Sequence, residues 1–451
     1  MDKYRNIFRA YDIRGIFGED LTPTVAVKIG GALSKHFPGV YCVCSDLRSS
    51  SQALKMALSS GLLGSGQNVV DAGLGPIGMA IYATKHLGYH VAYITASHLP
   101  PEWNGIKLFK PNGLPICEED LEKLAETVER EDFWVKAGGE GKYVTRDVLS
   151  EYYDFLLKVP KKTSRKLKIV VDCGNGAASL VVPRLLRDLG HDVIGINCDV
   201  DPLFRVRGSE PTPETTSFMG KLIRDFNADL GVSFDGDGDR ALFFDEKGNT
   251  VTPEQAALVM LKAAPPGDVV ANVECSSVVE RFVQDRGGKV VKVPVGRIHM
   301  IFQAMKSNIV LGVESSGHYI PYGGVNLDDG ILAVLQLIEA LGTLDAPISS
   351  LLVPMPLLRK IKIEISDEVK FRVVDWLKNT YLSKYEKVST IDGVRVDLED
   401  GWFLVRASNT EPAIRVTIES NNTEGLDRIE KMVRKDMEQA MKSLGSGQAK
   451  K

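Results

Sequence analysis

Short β-branched apolar runs alternate with longer amphipathic stretches over most of the chain, the pattern of parallel sheets with covering helices. The runs predict strands at 40–45, 68–72 and 90–95, then at 168–172, 192–197 and 229–234, then at 268–273, 290–293 and 308–313. Each set of three ends in a short polar loop: Thr95-Ala-Ser-His98, Asp235-Gly-Asp-Gly-Asp-Arg240 and Glu314-Ser-Ser-Gly-His318. That recurrence is an internal repeat. Ligands of parallel sheets bind beyond the carboxyl ends of strands, so three equivalent loops would share one cleft.

Past Pro354 and Pro356 the pattern changes to the alternating Ile361-Lys-Ile-Glu-Ile365, a helix near 369–381, strands at 394–398, 402–406 and 413–419, and a last helix from about Thr423. This predicts a smaller α+β domain, with Arg406-Ala-Ser-Asn-Thr-Glu-Pro412 as a fourth polar loop. The expected domains are 1–148, 149–250, 251–353 and 354–444, with a frayed tail at 445–451.

The length, 451 residues, calls for several cores, and 44% hydrophobic with 25% charged residues is ordinary globular composition. A net charge of −4 excludes a nucleic-acid-coating protein but leaves room for small anionic ligands. Neither a secretory apolar run nor a membrane-length span is visible, and the six cysteines form no Cys-x-x-Cys pair, so reduced thiols and a cytoplasmic address are expected.

Asp235, Asp237 and Asp239 place three carboxylates at alternate positions. Two like charges about 4 Å apart cost on the order of 4 kcal/mol at an effective dielectric of 20, so the trio calls for a hard divalent cation such as Mg²⁺. An EF-hand is excluded because Arg240 stands where that loop needs glycine, although Glu246 fits its last position. Gly73-Leu-Gly75-Pro-Ile-Gly78 has dinucleotide spacing but no acidic ribose ligand after the next strand, and reads as a strand-to-helix turn. Ser97 beside His98 lacks the glycines of a hydrolase elbow. A serine carrying a phosphoryl group would instead use both a metal loop and a phosphate loop. Arg406, Ser408, Asn409 and Thr410 supply donors suited to a phosphate, and Glu314, Ser316 and His318 have the composition of a sugar-hydroxyl site.

Five stretches in this order, Phe8 to Gly15, Thr95 to His98 with Asn104 to Lys107, Asp235 to Arg240, Glu314 to His318 and Arg406 to Pro412, resemble the α-D-phosphohexomutase family over essentially the whole chain. The resemblance implies an α/β fold of three similar mixed or parallel α/β/α domains plus a smaller C-terminal α+β domain around a central cleft. It implies Ser97 as the phosphoserine, with Ser97, Asp235, Asp237 and Asp239 holding Mg²⁺ and Arg240 bordering them. Glu314 and Ser316 match the positions that bind sugar hydroxyls, with His318 beside them, and Arg406, Ser408, Asn409 and Thr410 match the loop for the resting phosphate. Tyr11, Arg14, His98 and Lys107 match residues that support the phosphoserine and proton transfer. Lys107 is the preferred general acid or base, because lysine lowers its pKa readily when buried.

The implied reaction interconverts hexose 1- and 6-phosphates through a hexose 1,6-bisphosphate, which also serves as activator. The opening Phe8-Arg-Ala-Tyr-Asp-Ile-Arg14 and Ser408-Asn-Thr410 resemble the phosphomannomutase/phosphoglucomutase branch, with phosphoglucosamine mutase and a non-catalytic sugar-phosphate sensor as alternatives. Leu99 follows His98 where the family usually has asparagine, and Arg297 belongs to a third-domain loop that varies with sugar preference. A monomer or homodimer is expected, with hexose phosphates as partners.

Overall fold

The computed structural model describes residues 4–9, 11–134, 141–159, 165–321, 328–408 and 412–446. Its first sheet contains β1 (Ile13–Ile16), β2 (Tyr41–Ser45), β3 (Val69–Leu74), β4 (His90–Ile94), β5 (Trp103–Phe109) and β6 (Tyr143–Thr145), ordered β1-β5-β4-β2-β3-β6. Strands β4, β2, β3 and β6 run parallel, whereas β5 is antiparallel to both β4 and β1. All five residues of β2 are buried, as covering both faces of a sheet requires of its central strands. The helices at Pro23–His36 and Ser51–Gly64 cross at Gly30 and Gly61. A Cβ on Gly61 would stand 2.1 Å from the Val27 carbonyl, so only glycine allows that approach.

The second sheet contains β7 (Lys168–Asp172), β8 (Asp192–Ile196), β9 (Leu230–Phe234), β10 (Ala241–Phe244) and β11 (Thr250–Val251), ordered β11-β10-β9-β7-β8. Here β9, β7 and β8 are parallel and β10 is antiparallel to β9. Next come β12 (Asp268–Asn272) and β13 (Val290–Val293), which pair in parallel, and β14 (Ile309–Val313) and β15 (Tyr319–Pro321), which pair antiparallel. The three polar loops therefore share a feature that the apolar pattern hides. Each reverses one strand into an antiparallel neighbour, β4 into β5, β9 into β10 and β14 into β15.

The last sheet contains β16 (Leu357–Glu364), β17 (Val388–Ser389), β18 (Val394–Leu398), β19 (Gly401–Ala407) and β20 (Ala413–Ser420), ordered β16-β20-β19-β18-β17 and antiparallel throughout. Alternation along β19 sends Phe403 and Val405 into the core with Leu377 and Tyr381, and Trp402 and Leu404 into a separate cluster with Val273. The helix Thr423–Ser446 runs through positions 445 and 446, which the sequence assigns to a frayed tail, and 447–451 lie outside the described residues. The chain forms two compact units, Met1–Pro266 with Ile301–Leu352, and Gly267–Met300 with Val353–Lys451. Among the described residues no helix is long and apolar enough to cross a membrane.

Candidate active site

The loop after β4 holds Ser97 in the left-handed region, φ +51°, a conformation costly for a residue with a Cβ. Its surroundings fix it there. Arg48 is buried and donates to the carbonyls of Ser97 (2.7 Å), Leu99 (2.6 Å), Pro100 (2.6 Å) and Trp103 (3.1 Å). Its Nε donates to Asp46 Oδ2 at 3.2 Å. Thr95 Oγ1 accepts the Ser97 N–H (2.8 Å) and lies 2.7 Å from Asp46 Oδ2 and 3.1 Å from Asp237 Oδ2. Ser209 Oγ reaches the His98 and Leu99 carbonyls at 2.7 and 2.8 Å.

The aspartate turn meets this loop through glycine. A Cβ on Gly236 would lie 2.6 Å from the Ser97 carbonyl, and Gly238 turns the chain at φ +78°. Asp235 Oδ1 accepts the N–H groups of Gly238 (3.0 Å) and Arg240 (3.1 Å), while its Oδ2 accepts the Ser97 hydroxyl at 2.7 Å. Asp235, Asp237 and Asp239 are all buried, with ligand atoms within 4.8 Å of one another. Burial, and then repulsion from Asp239 and Asp237, pushes Asp235 well above the usual carboxylate range. Asp237 Oδ1 is buried without a hydrogen-bond partner among the described residues. An acceptor-only oxygen in such surroundings suits a cation, so the donor set fits a hard divalent ion.

Lys107, on β5, lies 2.8 Å from Asp237 Oδ2 and 2.7 Å from Asp239 Oδ2, and all three side chains are nearly inaccessible. These two ion pairs favour the ammonium form, the form in which Lys107 can donate a proton. His98 Nδ1 stands 3.4 Å from Ser97 Oγ, and burial followed by the nearby Arg240 and Arg14 holds this imidazole well below its ordinary pKa. Arg14, on β1, is fixed by Asp12 at 2.7 Å, and Tyr11 lies half-buried just before that strand.

Arg240 joins the third loop to the second. Its Nε donates to His318 Nε2 (3.1 Å) and its NH1 pairs with Glu210 (3.0 Å). Because His318 Nε2 accepts, the ring proton sits on Nδ1, which is 3.1 Å from Asp328 Oδ2 and 3.9 Å from Asp239 Oδ1. Glu314 is buried and accepts the Ser316 hydroxyl at 2.8 Å. Glu246, the would-be EF-hand ligand, instead accepts the Ser349 N–H at 3.1 Å. Asp46, Arg48, Ser209 and Asp328 are absent from the sequence reading. The signal for the first two is the polar string Asp46-Leu-Arg-Ser-Ser50 at a strand end.

In the second compact unit, Arg406 on β19 donates through Nε to Glu274 at 3.1 Å. Ser408 is buried, and its carbonyl accepts from Lys370 at 2.6 Å. Asn409 and Thr410 lie outside the described residues. Arg297, expected in a loop, is the first residue of the helix Arg297–Lys306.

Comparison with known proteins matches four consecutive family profiles, the three α/β/α domains of phosphoglucomutase/phosphomannomutase at residues 5–134, 150–248 and 253–356, and the C-terminal domain at 367–436. The chain belongs to the α-D-phosphohexomutases. This phosphohexomutase is 36% identical to a probable phosphoglucosamine mutase of Pyrococcus horikoshii, over 97% of this chain and 99% of the relative. It is 33% identical to a phosphoglucomutase/phosphomannomutase of Thermococcus kodakarensis, over 97% and 99%. A crystal structure of a phosphoglucomutase/phosphomannomutase family protein from Burkholderia thailandensis superposes with a TM-score of 0.88 at 28% identity, covering 97% of this chain and 98% of that one. The fold is accordingly three α/β/α domains and a C-terminal domain.

Proposed function

We propose that this phosphohexomutase interconverts hexose 1-phosphates and 6-phosphates through a phosphoryl group carried on Ser97. The observation that carries the reading is the juxtaposition of the Ser97 hydroxyl, 2.7 Å from Asp235, with three buried carboxylates and Lys107. Asp235, Asp237 and Asp239 would hold Mg²⁺, the ion of the superfamily, together with the Ser97 oxygen. The ion, when bound, offsets the charge of the phosphoryl oxygens as they transfer.

The remaining work falls to the chain. Ser97 gives up its proton when it regains a phosphoryl group, and with Asp235 given to the ion, His98, whose Nδ1 stands 3.4 Å from Ser97 Oγ, is the group placed to accept it. Lys107 acts as a fixed positive charge beside the transferring group. Glu314 and Ser316 bind sugar hydroxyls, Arg240 and His318 border them, Tyr11 and Arg14 support the serine loop, and Arg406 with Ser408, Asn409 and Thr410 holds the resting phosphate. Hexose 1,6-bisphosphate is the intermediate, and as a primer it restores phosphorylated Ser97.

For the sugar, the glucose and mannose reading rests on Phe8-Arg-Ala-Tyr-Asp-Ile-Arg14, on Ser408-Asn-Thr410, and on a loop string Glu314-Ser-Ser316 whose one carboxylate is already assigned to sugar hydroxyls rather than to an amine at C2. The glucosamine reading is favoured by the name of the Pyrococcus relative. Intact-mass measurement with a bisphosphate primer should show one phosphate per chain, absent in Ser97→Ala, with turnover lost in that variant. Full turnover in Ser97→Ala refutes the carrier. The ratio of kcat/KM for glucose, mannose and glucosamine 1-phosphates decides the sugar, and a clear glucosamine preference overturns the first reading alone.

A further inference from the structure

Cys173 and Cys198 lie just past the carboxyl ends of the parallel neighbours β7 and β8, with their Sγ atoms 3.2 Å apart. No step of the proposed reaction uses them. Strand pairing continues as far as Cys173, whose N–H donates to the Ile196 carbonyl at 3.1 Å, so the two backbones stay at sheet spacing where the thiols meet. A disulfide needs its sulfurs about 2.05 Å apart on Cα atoms roughly 4.4–6.8 Å apart, so closure asks for a movement of about 1 Å.

The two thiols differ in the way an exchanging pair requires. Cys198 is half-buried, between the exposed Gly195 and Asp199, whereas Cys173 is fully buried. The hydrogen-bonded contact with Cys173 lowers the Cys198 thiol from its ordinary value, and burial pushes Cys173 well above it. The pair also adjoins the aspartate turn. Cys173 opens the turn to Gly176, and the Ala177 N–H donates to the Gly236 carbonyl at 3.0 Å. Asp172 accepts from Asn197 at 2.9 Å and from Arg207 at 2.6 Å, and Arg207 donates to the Phe234 carbonyl just before Asp235.

We propose that Cys173 and Cys198 form a dithiol that closes to a disulfide by exchange with a low-molecular-weight disulfide, tying the ends of β7 and β8 together beside the aspartate turn. The Cys198 thiolate attacks one sulfur of the small disulfide, giving a mixed disulfide and releasing the first small thiol. Cys173 then attacks the Cys198 sulfur and the second small thiol leaves. The protein is oxidised by two electrons, the small disulfide is reduced to two thiols, and the two protein thiol protons end on those products.

The test is to incubate the full chain with oxidised glutathione, block remaining thiols with an alkylating agent and map tryptic peptides. Arg184 and Arg187 separate the two cysteines, whereas Cys42 and Cys44 share one peptide. The expected result is loss of two of the six thiols and one cross-linked pair joining Cys173 to Cys198, reversed by a reducing agent. Cys173→Ser should arrest the reaction as glutathione bound to Cys198, and Cys198→Ser should leave Cys173 unmodified. Six alkylated thiols, a cross-link between other cysteines, or a persistent glutathione adduct on Cys198 of the unsubstituted chain would overturn the proposal.

Discussion

At the residue scale, Arg48 does the most for the serine loop. Its guanidinium fork turns four backbone carbonyls and Asp46 into one rigid frame, a task that lysine's single ammonium does not reproduce. Removing it strands Asp46, which burial already pushes above the carboxylate range. Loss of one partner from a buried pair costs about 3–5 kcal/mol. Arg48→Ala should therefore unfold at clearly lower urea concentration, and the fraction that remains folded should turn over slowly because Ser97 is no longer held at positive φ. Wild-type turnover in that variant would show that the loop is set by Thr95 and Ser209 instead. The aspartates give a second expectation. A ligand that binds only the folded state at a hundred times its Kd stabilises by about 2.7 kcal/mol, so Mg²⁺ should raise the Tm of chelator-treated protein and restore its turnover. Asp237→Asn should lose most of that gain, and an equal gain in both proteins would place the ion elsewhere.

At the element scale, the apolar runs mark the parallel strands to within a residue or two, because strands buried on both faces need uninterrupted β-branched runs. What they do not mark is β5. Its run, Trp103-Asn-Gly-Ile-Lys-Leu-Phe109, carries Lys107 in a buried position, which periodicity scores as a break. That charge is tolerated only because Asp237 and Asp239 meet it from more than a hundred positions away. Ser209 was illegible for the same reason, since its partner is the serine loop more than a hundred positions away, whereas Asp328 meets His318 across the reversal of β14 into β15, a closeness no periodicity in the sequence marks. The three loops were legible because glycine, serine and aspartate cluster where turns need them. Asp329 gives a prediction at this scale. It caps the helix Gly330–Leu344 through the N–H groups of Ile331 and Leu332, accepts from Tyr152 at 2.7 Å, and burial pushes it up to about 6. A carboxyl whose folded pKa is raised from about 3.9 favours the folded state below the lower value, and that contribution is lost as pH rises through about 6. Asp329→Asn keeps the cap oxygen but does not titrate. Its stability relative to wild type should improve by roughly 2–3 kcal/mol between pH 4 and pH 7.5, read from urea melts at each pH. A gap independent of pH would mean that Asp329 is not the titrating group.

At the scale of the whole molecule, the repeat and the packing divide the chain differently. The repeat predicts a cut at Pro354 that leaves three complete domains, and the matched profiles place a boundary at 356. Packing joins Gly267–Met300 to Val353–Lys451 as one compact unit. Inside it Val273 is buried against Trp402 and Leu404, and Arg395 donates to the Val273 and Cys275 carbonyls at 2.7 and 3.2 Å. The Arg395 guanidinium stacks 3.9 Å from the Trp402 ring centroid, and Arg406 neutralises Glu274. Truncation at 353 would strip all of this from residues 267–300, exposing Val273, two carbonyls and a carboxylate whose pairing is with the removed strands. The truncated chain should therefore aggregate or melt well below the full chain, with Val269 to Asn272 losing hydrogen-exchange protection. A soluble 1–353 fragment melting within a few degrees of the full chain would show instead that the C-terminal domain contributes little to that unit. Because truncation disturbs the fold, the resting-phosphate role of the fourth loop is better tested by Arg406→Ala in a Glu274→Gln background, where no buried carboxylate is left without its guanidinium and only the half-exposed Lys360 loses a partner. The expected result is a steeply raised KM for the hexose 1-phosphate with the Tm held close to that of Glu274→Gln alone, and an unchanged KM would assign that phosphate to other residues.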